Sequence, residues 1–162
     1  TIGDAYMCIA GVPAESRGHA IAACLASLEI QHHMQRTNMQ REKMRMPRWD
    51  MRIGLHSGPI IAGVVGEKKF TFDVWGDAVN IAALMEKESE PGRINVSQTT
   101  FQQVSEAFET EERGEIDSGK KGLLTMYFVN RLKPEFSSDK DGIKPNEEFQ
   151  QQFGNLLRVY DR

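Results

Sequence analysis

In the run Phe72-Asp73-Val74-Trp75 a carboxylate interrupts aromatic and β-branched residues that otherwise read as a strand. Such a carboxyl group has to be exposed, paired with a cation, or used to accept a hydrogen bond from a ligand. A little further on, Asn80 opens the helix-like apolar run that ends at Leu84 and Met85, and taken alone it is a helix-start residue. Asp4, beside Gly3 at a predicted strand end, fits a turn first and, second, an oxygen ligand for a hard cation such as Mg2+ or Mn2+. Arg52 is a lone cation in the strand-like Met51-Arg52-Ile53-Gly54-Leu55, able to hold a phosphate or to pair with an acid. Lys120 and Lys121 sit between Gly119 and Gly122 in a hairpin-like turn, which fits a solvated turn and also a phosphate contact. The glycine-rich segment from Gly58 to Lys69 lacks the spacing of a phosphate loop, and no helix follows it at once, so its glycines read as turn and packing residues. His32 and His33 are neighbours on a helix, face different directions, and make a poor metal pair.

These side chains depend on the elements that carry them. Residues 5 to 12, short and apolar between Gly3 and Pro13, predict a buried strand after a Gly3-Asp4 turn. From Glu15 to Lys43 Ile21, Cys24, Leu25 and Leu28 recur at helical spacing, and Pro47 lies beyond the end of that helix. Strands are predicted around Ile53, over residues 59–66 and over 69–75. A second helix follows with Asp77 as its N-cap, then a strand at Ile94 to Ser97, a third helix capped by Ser97, and two final strands near Glu112 and Tyr127. Helices mixed with hairpins indicate an α+β fold, and the order strand, helix, strand, strand, helix, strand is close to a ferredoxin-like βαββαβ core with additional strands and helices. Residues 1–132 read as the domain. Residues 133–162, rich in charge, Ser, Pro and Gln, read as a polar linker or appendage ending in a short docking helix.

With 162 residues, 40% hydrophobic and 27% charged, the chain is sized for one core. A net charge of −3 argues against bulk nucleic-acid binding, and an RNA-binding sheet would need an aromatic stripe and a basic face, neither of which is evident. The basic stretch Arg36 to Arg52 reads as a solvated helix end rather than a calmodulin-like target. No apolar run reaches membrane-spanning length, and two cysteines make no disulfide framework, so a cytoplasmic setting is expected. The sequence opens at Thr1 already inside strand-like residues, which suggests that native sequence precedes it.

Taken together, residues 1–13, 51–66, 72–86, 91–97 and 127–130 resemble, in order and spacing, the class III nucleotidyl cyclases. The resemblance implies a ferredoxin-like catalytic domain working as a head-to-tail homodimer, or with a related cyclase domain, and forming a 3′,5′-cyclic nucleotide and pyrophosphate in the interface. It makes Asp4 the second of two aspartates holding two Mg2+ or Mn2+ ions, the first lying before Thr1. Arg52 resembles a phosphate-contacting arginine, and Lys121, with Lys120 as the alternative in register, resembles the lysine on the terminal phosphates. Asp73 matches the residue that reads the purine; a carboxylate accepts from the adenine amine, which favours ATP over GTP. Asn80 matches the catalytic asparagine that orients the ribose. One helical turn later the family places an arginine on the charge developing at the phosphate, and this chain has Leu84, so an adenylate cyclase stands beside a weak or degenerate cyclase-homology module.

Overall fold

The computed structural model describes residues 3–67, 70–119 and 122–158. A long helix α1 (His19–Lys43) is followed by β1 (Ile53–Leu55), β2 (Ile61–Val65), β3 (Thr71–Trp75), α2 (Asp77–Lys87), β4 (Ile94–Ser97), α3 (Gln98–Val104), β5 (Phe108–Asp117) and β6 (Leu123–Leu132). A 3-10 turn (Pro134–Phe136) and α4 (Glu147–Leu157) complete the described chain. The fold is α+β. Strands run in the order β1-β4-β6-β5, with β1 and β4 parallel and the other pairs antiparallel. The crossover between the parallel pair contains the separate β2–β3 hairpin and α2, the elements that carry Asp73 and Asn80.

One face of α1 supplies Ala20, Ile21, Cys24 and Leu28 to the core, where they meet Val96, Phe108, Val129 and Leu132 of the sheet. All four residues of β4 are buried, so it is the central strand in packing as well as in order. Gln31 of α1 donates to the carbonyls of Met51 (3.2 Å) and Arg93 (3.3 Å), tying the helix to the segments that lead into β1 and β4.

Three expectations are corrected. Residues 5–12 form no strand beyond a single bridge at Ala5: the Gly3-Asp4 turn is present, but Tyr6, Met7 and Ile9 are exposed, and one bridge does not extend into a ladder. Of the two readings of residues 133–158, the appendage ending in a docked helix holds and the free linker does not. Phe136 packs edge to face on Phe149 and Phe153, with centroids 6.4 and 5.2 Å away, all three join the main core, and the Asn146 side chain caps α4 by accepting from Phe149 N–H. Asp77 is the first helical residue of α2 rather than its N-cap. Gly76 takes that position with φ +141, a conformation that favours glycine, and an added Cβ would meet the Pro59 carbonyl oxygen at 3.1 Å.

Candidate active site

Strand β3 runs through Gly76 directly into α2, so the strand end bearing Asp73 and the helix turn bearing Asn80 are joined by a single glycine pivot. Asp73 is exposed. One carboxylate oxygen accepts from the N–H of Val74 at 2.8 Å, which fixes its rotamer and leaves the second oxygen available to a ligand donor. Its partner across the hairpin is Gly63, and on the same face the flanking pairs are Ile61 with Trp75 and Val65 with Thr71.

Helix α2 buries Ala78 and Met85, a helical repeat apart, against the sheet. Asn80 and Leu84 lie on the opposite side of the helix, one turn from each other. Asn80 is exposed and Leu84 half-buried. The face that carries the matched asparagine therefore points away from its own core. At the position of Leu84 that face offers only hydrocarbon, with no donor for a developing negative charge.

The C-terminal end of α2 is where Arg52 is found. Its guanidinium makes 3.0 Å contacts with the Glu86 carboxylate and donates to the Lys87 carbonyl at 3.4 Å. Of the two roles open to it, Arg52 takes pairing with an acid here, roughly 9 Å of helix axis beyond Asn80. Asn95, a fully buried residue of β4, donates to the Met85 carbonyl at 2.9 Å, while its own Oδ1 has no partner among the described residues. Gly54 of β1 lies so close to the helix that a Cβ there would stand 1.9 Å from the Glu86 nitrogen. These contacts satisfy carbonyls that a helix end leaves open and fix α2 to the sheet. The buried Asn95 within Ile94-Asn95-Val96 was the visible sign of them in the sequence, and it was missed.

Asp4 stands exposed in its turn, one hard oxygen donor that fits part of a divalent-cation site. Among the described residues no group of three or more His, Cys, Asp or Glu side chains could hold a metal. Lys120 and Lys121 lie outside the described residues. On either side of them, Ser118 N–H donates to the Gly122 carbonyl at 3.0 Å. Ser97 does precede α3, but its hydroxyl is engaged with His56 Nδ1 (2.7 Å), Thr99 and Thr100 instead of capping the helix. No described helix is long and apolar enough to cross a membrane.

A hairpin carrying the Asp73 carboxylate is thus joined through Gly76 to a helix carrying Asn80, the two positions that the sequence matches to a nucleotidyl cyclase catalytic domain. The chain belongs to that family: the adenylate and guanylate cyclase catalytic domain matches residues 1–131. It is 37% identical over 133 residues to an adenylate cyclase of Mycobacterium tuberculosis, covering 80% of this chain and 28% of that protein. It is 36% identical over 132 residues to the guanylate cyclase soluble subunit beta-2 of Rattus norvegicus, covering 80% of this chain and 19% of that one. The chain thus spans under a third of either relative. In three dimensions it resembles the guanylate cyclase domain of RhGC from Catenaria anguillulae, crystallised with GTP, with a TM-score of 0.67 and 30% identity over 76% of this chain and 66% of that one. The similarity is nearly as close to guanylate as to adenylate cyclases, so the choice of purine rests on individual residues.

Proposed function

We propose that the chain is the catalytic domain of an adenylate cyclase, converting ATP to 3′,5′-cyclic AMP and pyrophosphate. The observation that carries this reading is the exposed Asp73 carboxylate, with one oxygen held by Val74 N–H and the other free to accept from the 6-amino group of adenine. Guanine presents a carbonyl at that edge and would face the carboxylate acceptor to acceptor. Asn80, projecting from the first turns of α2, orients the ribose. The 3′-oxygen then attacks the α-phosphorus, the bond to the bridging oxygen of the β-phosphate breaks, pyrophosphate leaves, and the hydroxyl proton passes to solvent. Two Mg2+ or Mn2+ ions, when bound, neutralise the triphosphate and acidify the hydroxyl, and Asp4 offers them one oxygen ligand beside those of the phosphates. Arg52 and Lys121 or Lys120 are the phosphate-binding candidates, Arg52 on the condition that it exchanges Glu86 for the nucleotide.

A second copy of the chain, or a related cyclase domain, completes the site. The outward face of α2 is open, and Ile61, Val64 and Phe72 on the β2–β3 hairpin are each more than half exposed, an apolar surface suited to a partner. Leu84 favours a second reading, a module that binds nucleotide and dimerises with little turnover. Binding of ATP and GTP to the full-length protein with Mn2+, measured beside cyclic nucleotide formation, separates these readings. The adenylate reading expects ATP to bind at least about tenfold tighter than GTP, a preference lost in Asp73→Ala. Equal affinity for the two purines would refute it, and tight ATP binding without product would leave the regulatory module standing.

A further inference from the structure

Resting on Asp73 as the purine reader, we infer that Gly63 is a specificity-determining residue whose missing side chain forms the slot through which the base edge reaches that carboxylate. Three reasons for a glycine in a strand fail at this position. Its φ is not positive, so the backbone does not need it. The β2–β3 register runs without a bulge from Ile61↔Trp75 to Val65↔Thr71, so no irregularity needs it. Nor does packing, because a Cβ built at Gly63 meets only the edge of the Trp75 ring, at an ordinary 3.7 Å.

A glycine inside a strand weakens it, and those without a conformational reason mark places where a ligand or another chain comes close. The neighbours sharpen the choice between these. Two residues away on either side along the same face stand β-branched Ile61 and Val65, and on the other face Ala62 opposes Val74 and Val64 opposes Phe72. Of the five cross-strand pairs, the one without a side chain on β2 is the pair containing Asp73. Directly opposed Cβ atoms in such a pair stand about 5 Å apart, so a branched side chain at position 63 would crowd the approach to the free carboxylate oxygen, and a methyl group would crowd it less. Ile61 and Val65 flank the position along the same face of β2, and the Trp75 ring reaches to 3.7 Å from where its Cβ would stand. The position without a side chain would leave the carboxylate edge open to a planar amino-substituted heterocycle.

The test compares Gly63→Val and Gly63→Ala with the unaltered full-length protein, reading the melting temperature, the oligomeric state by sedimentation, and the dissociation constants of ATP and of inorganic pyrophosphate with Mn2+. The strand should tolerate either residue, so melting temperature stays level or rises. ATP binding should weaken roughly tenfold or more in Gly63→Val and by less in Gly63→Ala, through loss of a hydrogen bond to a charged acceptor, with pyrophosphate binding unchanged. Unchanged ATP affinity, a parallel loss for pyrophosphate, or dissociation of an oligomer would each overturn the inference. Asp73→Ala is measured in the same series. If it weakens ATP while Gly63→Val does not, the Gly63 inference alone fails; if it too leaves ATP binding untouched, the purine-reading assignment fails and takes the inference with it.

Discussion

Substituting Gly54 by alanine should cost this protein both stability and turnover, and the structure sets the scale of each loss. A Cβ at Gly54 would stand 1.9 Å from the Glu86 nitrogen, 2.4 Å from the Met85 carbonyl carbon and 2.5 Å from the Glu86 Cα, all backbone atoms that no rotamer can move aside. Ordinary contact begins near 3.4 Å, so α2 has to retreat from β1 by roughly 1.5 Å. The 2.9 Å hydrogen bond from Asn95 to the Met85 carbonyl would not survive such a movement, and a buried carbonyl left open costs about 1–3 kcal/mol. Overpacking adds a further ~1–3 kcal/mol. For a chain of this length the two together correspond to a melting temperature lower by roughly 5–15 °C. Asn80 rides on the same helix, and a displacement of about 1 Å at a positioning group is worth about a hundredfold in rate. The base contact belongs to the hairpin, so ATP affinity should fall much less than turnover. Thermal melts, ATP binding and cyclic AMP formation well below the melting transition check all three. Wild-type melting and turnover in Gly54→Ala would refute the claim that the β1–α2 contact sets the helix.

Leu84→Arg should place a guanidinium one turn beyond Asn80 and raise cyclic AMP formation by about a hundredfold or more, while Leu84→Met leaves it level; no gain would mean that another group already fills the role or that the site is inactive for a different reason. Cys24 is fully buried and desolvation pushes its thiol up to about 12, whereas Cys8 is exposed, so a disulfide reagent at mildly alkaline pH should titrate a single thiol in the native protein and both after denaturation. At Asp139 partial burial favours the neutral acid, but the N–H groups of Ile143, Lys144 and Gly142 and the Ser137 hydroxyl outweigh it and hold the carboxyl below its ordinary value of 3.8. A lowered folded-state value means that the ionised group stabilises above the ordinary value and that this contribution is lost as pH falls through the folded one. Melts of wild type and Asp139→Asn should therefore differ at neutral pH and converge in acid below the ordinary carboxylate range.

Local pattern revealed what local forces decide. The 3.6-residue recurrence of Ile21, Cys24 and Leu28 marks α1, and Pro91-Gly92 followed by Ile94-Asn95-Val96 marks β4. Asp73 and Asn80 were legible as site candidates because a polar residue in an apolar run is a local anomaly. Long-range decisions were not legible. Tyr6 to Ile9 carry strand composition, yet a strand exists only where another supplies its ladder, and these residues lie exposed. Residues 133–158 look like a linker by charge, but three phenylalanines suffice to dock them, two of them a helical turn apart. Whether Arg52 met a phosphate or an acid depended on where Glu86 would come to rest, 34 residues away.

The C-terminal end of helix α2 is closely held. Its last carbonyls receive donors from Glu88, Asn95, Ser89 and Arg52, and the Arg52 guanidinium also complements the negative end of the helix dipole. Its other end emerges from the Gly76 pivot with Asn80 in the open, and the positive end of the dipole there suits an approaching triphosphate. This division bears on how Leu84 is to be understood. Here four donors hold the C-terminal carbonyls of α2, while Leu84 stands half-buried one turn beyond Asn80. An arginine at position 84, or one supplied by a partner domain, is therefore expected to raise turnover without changing how α2 is held.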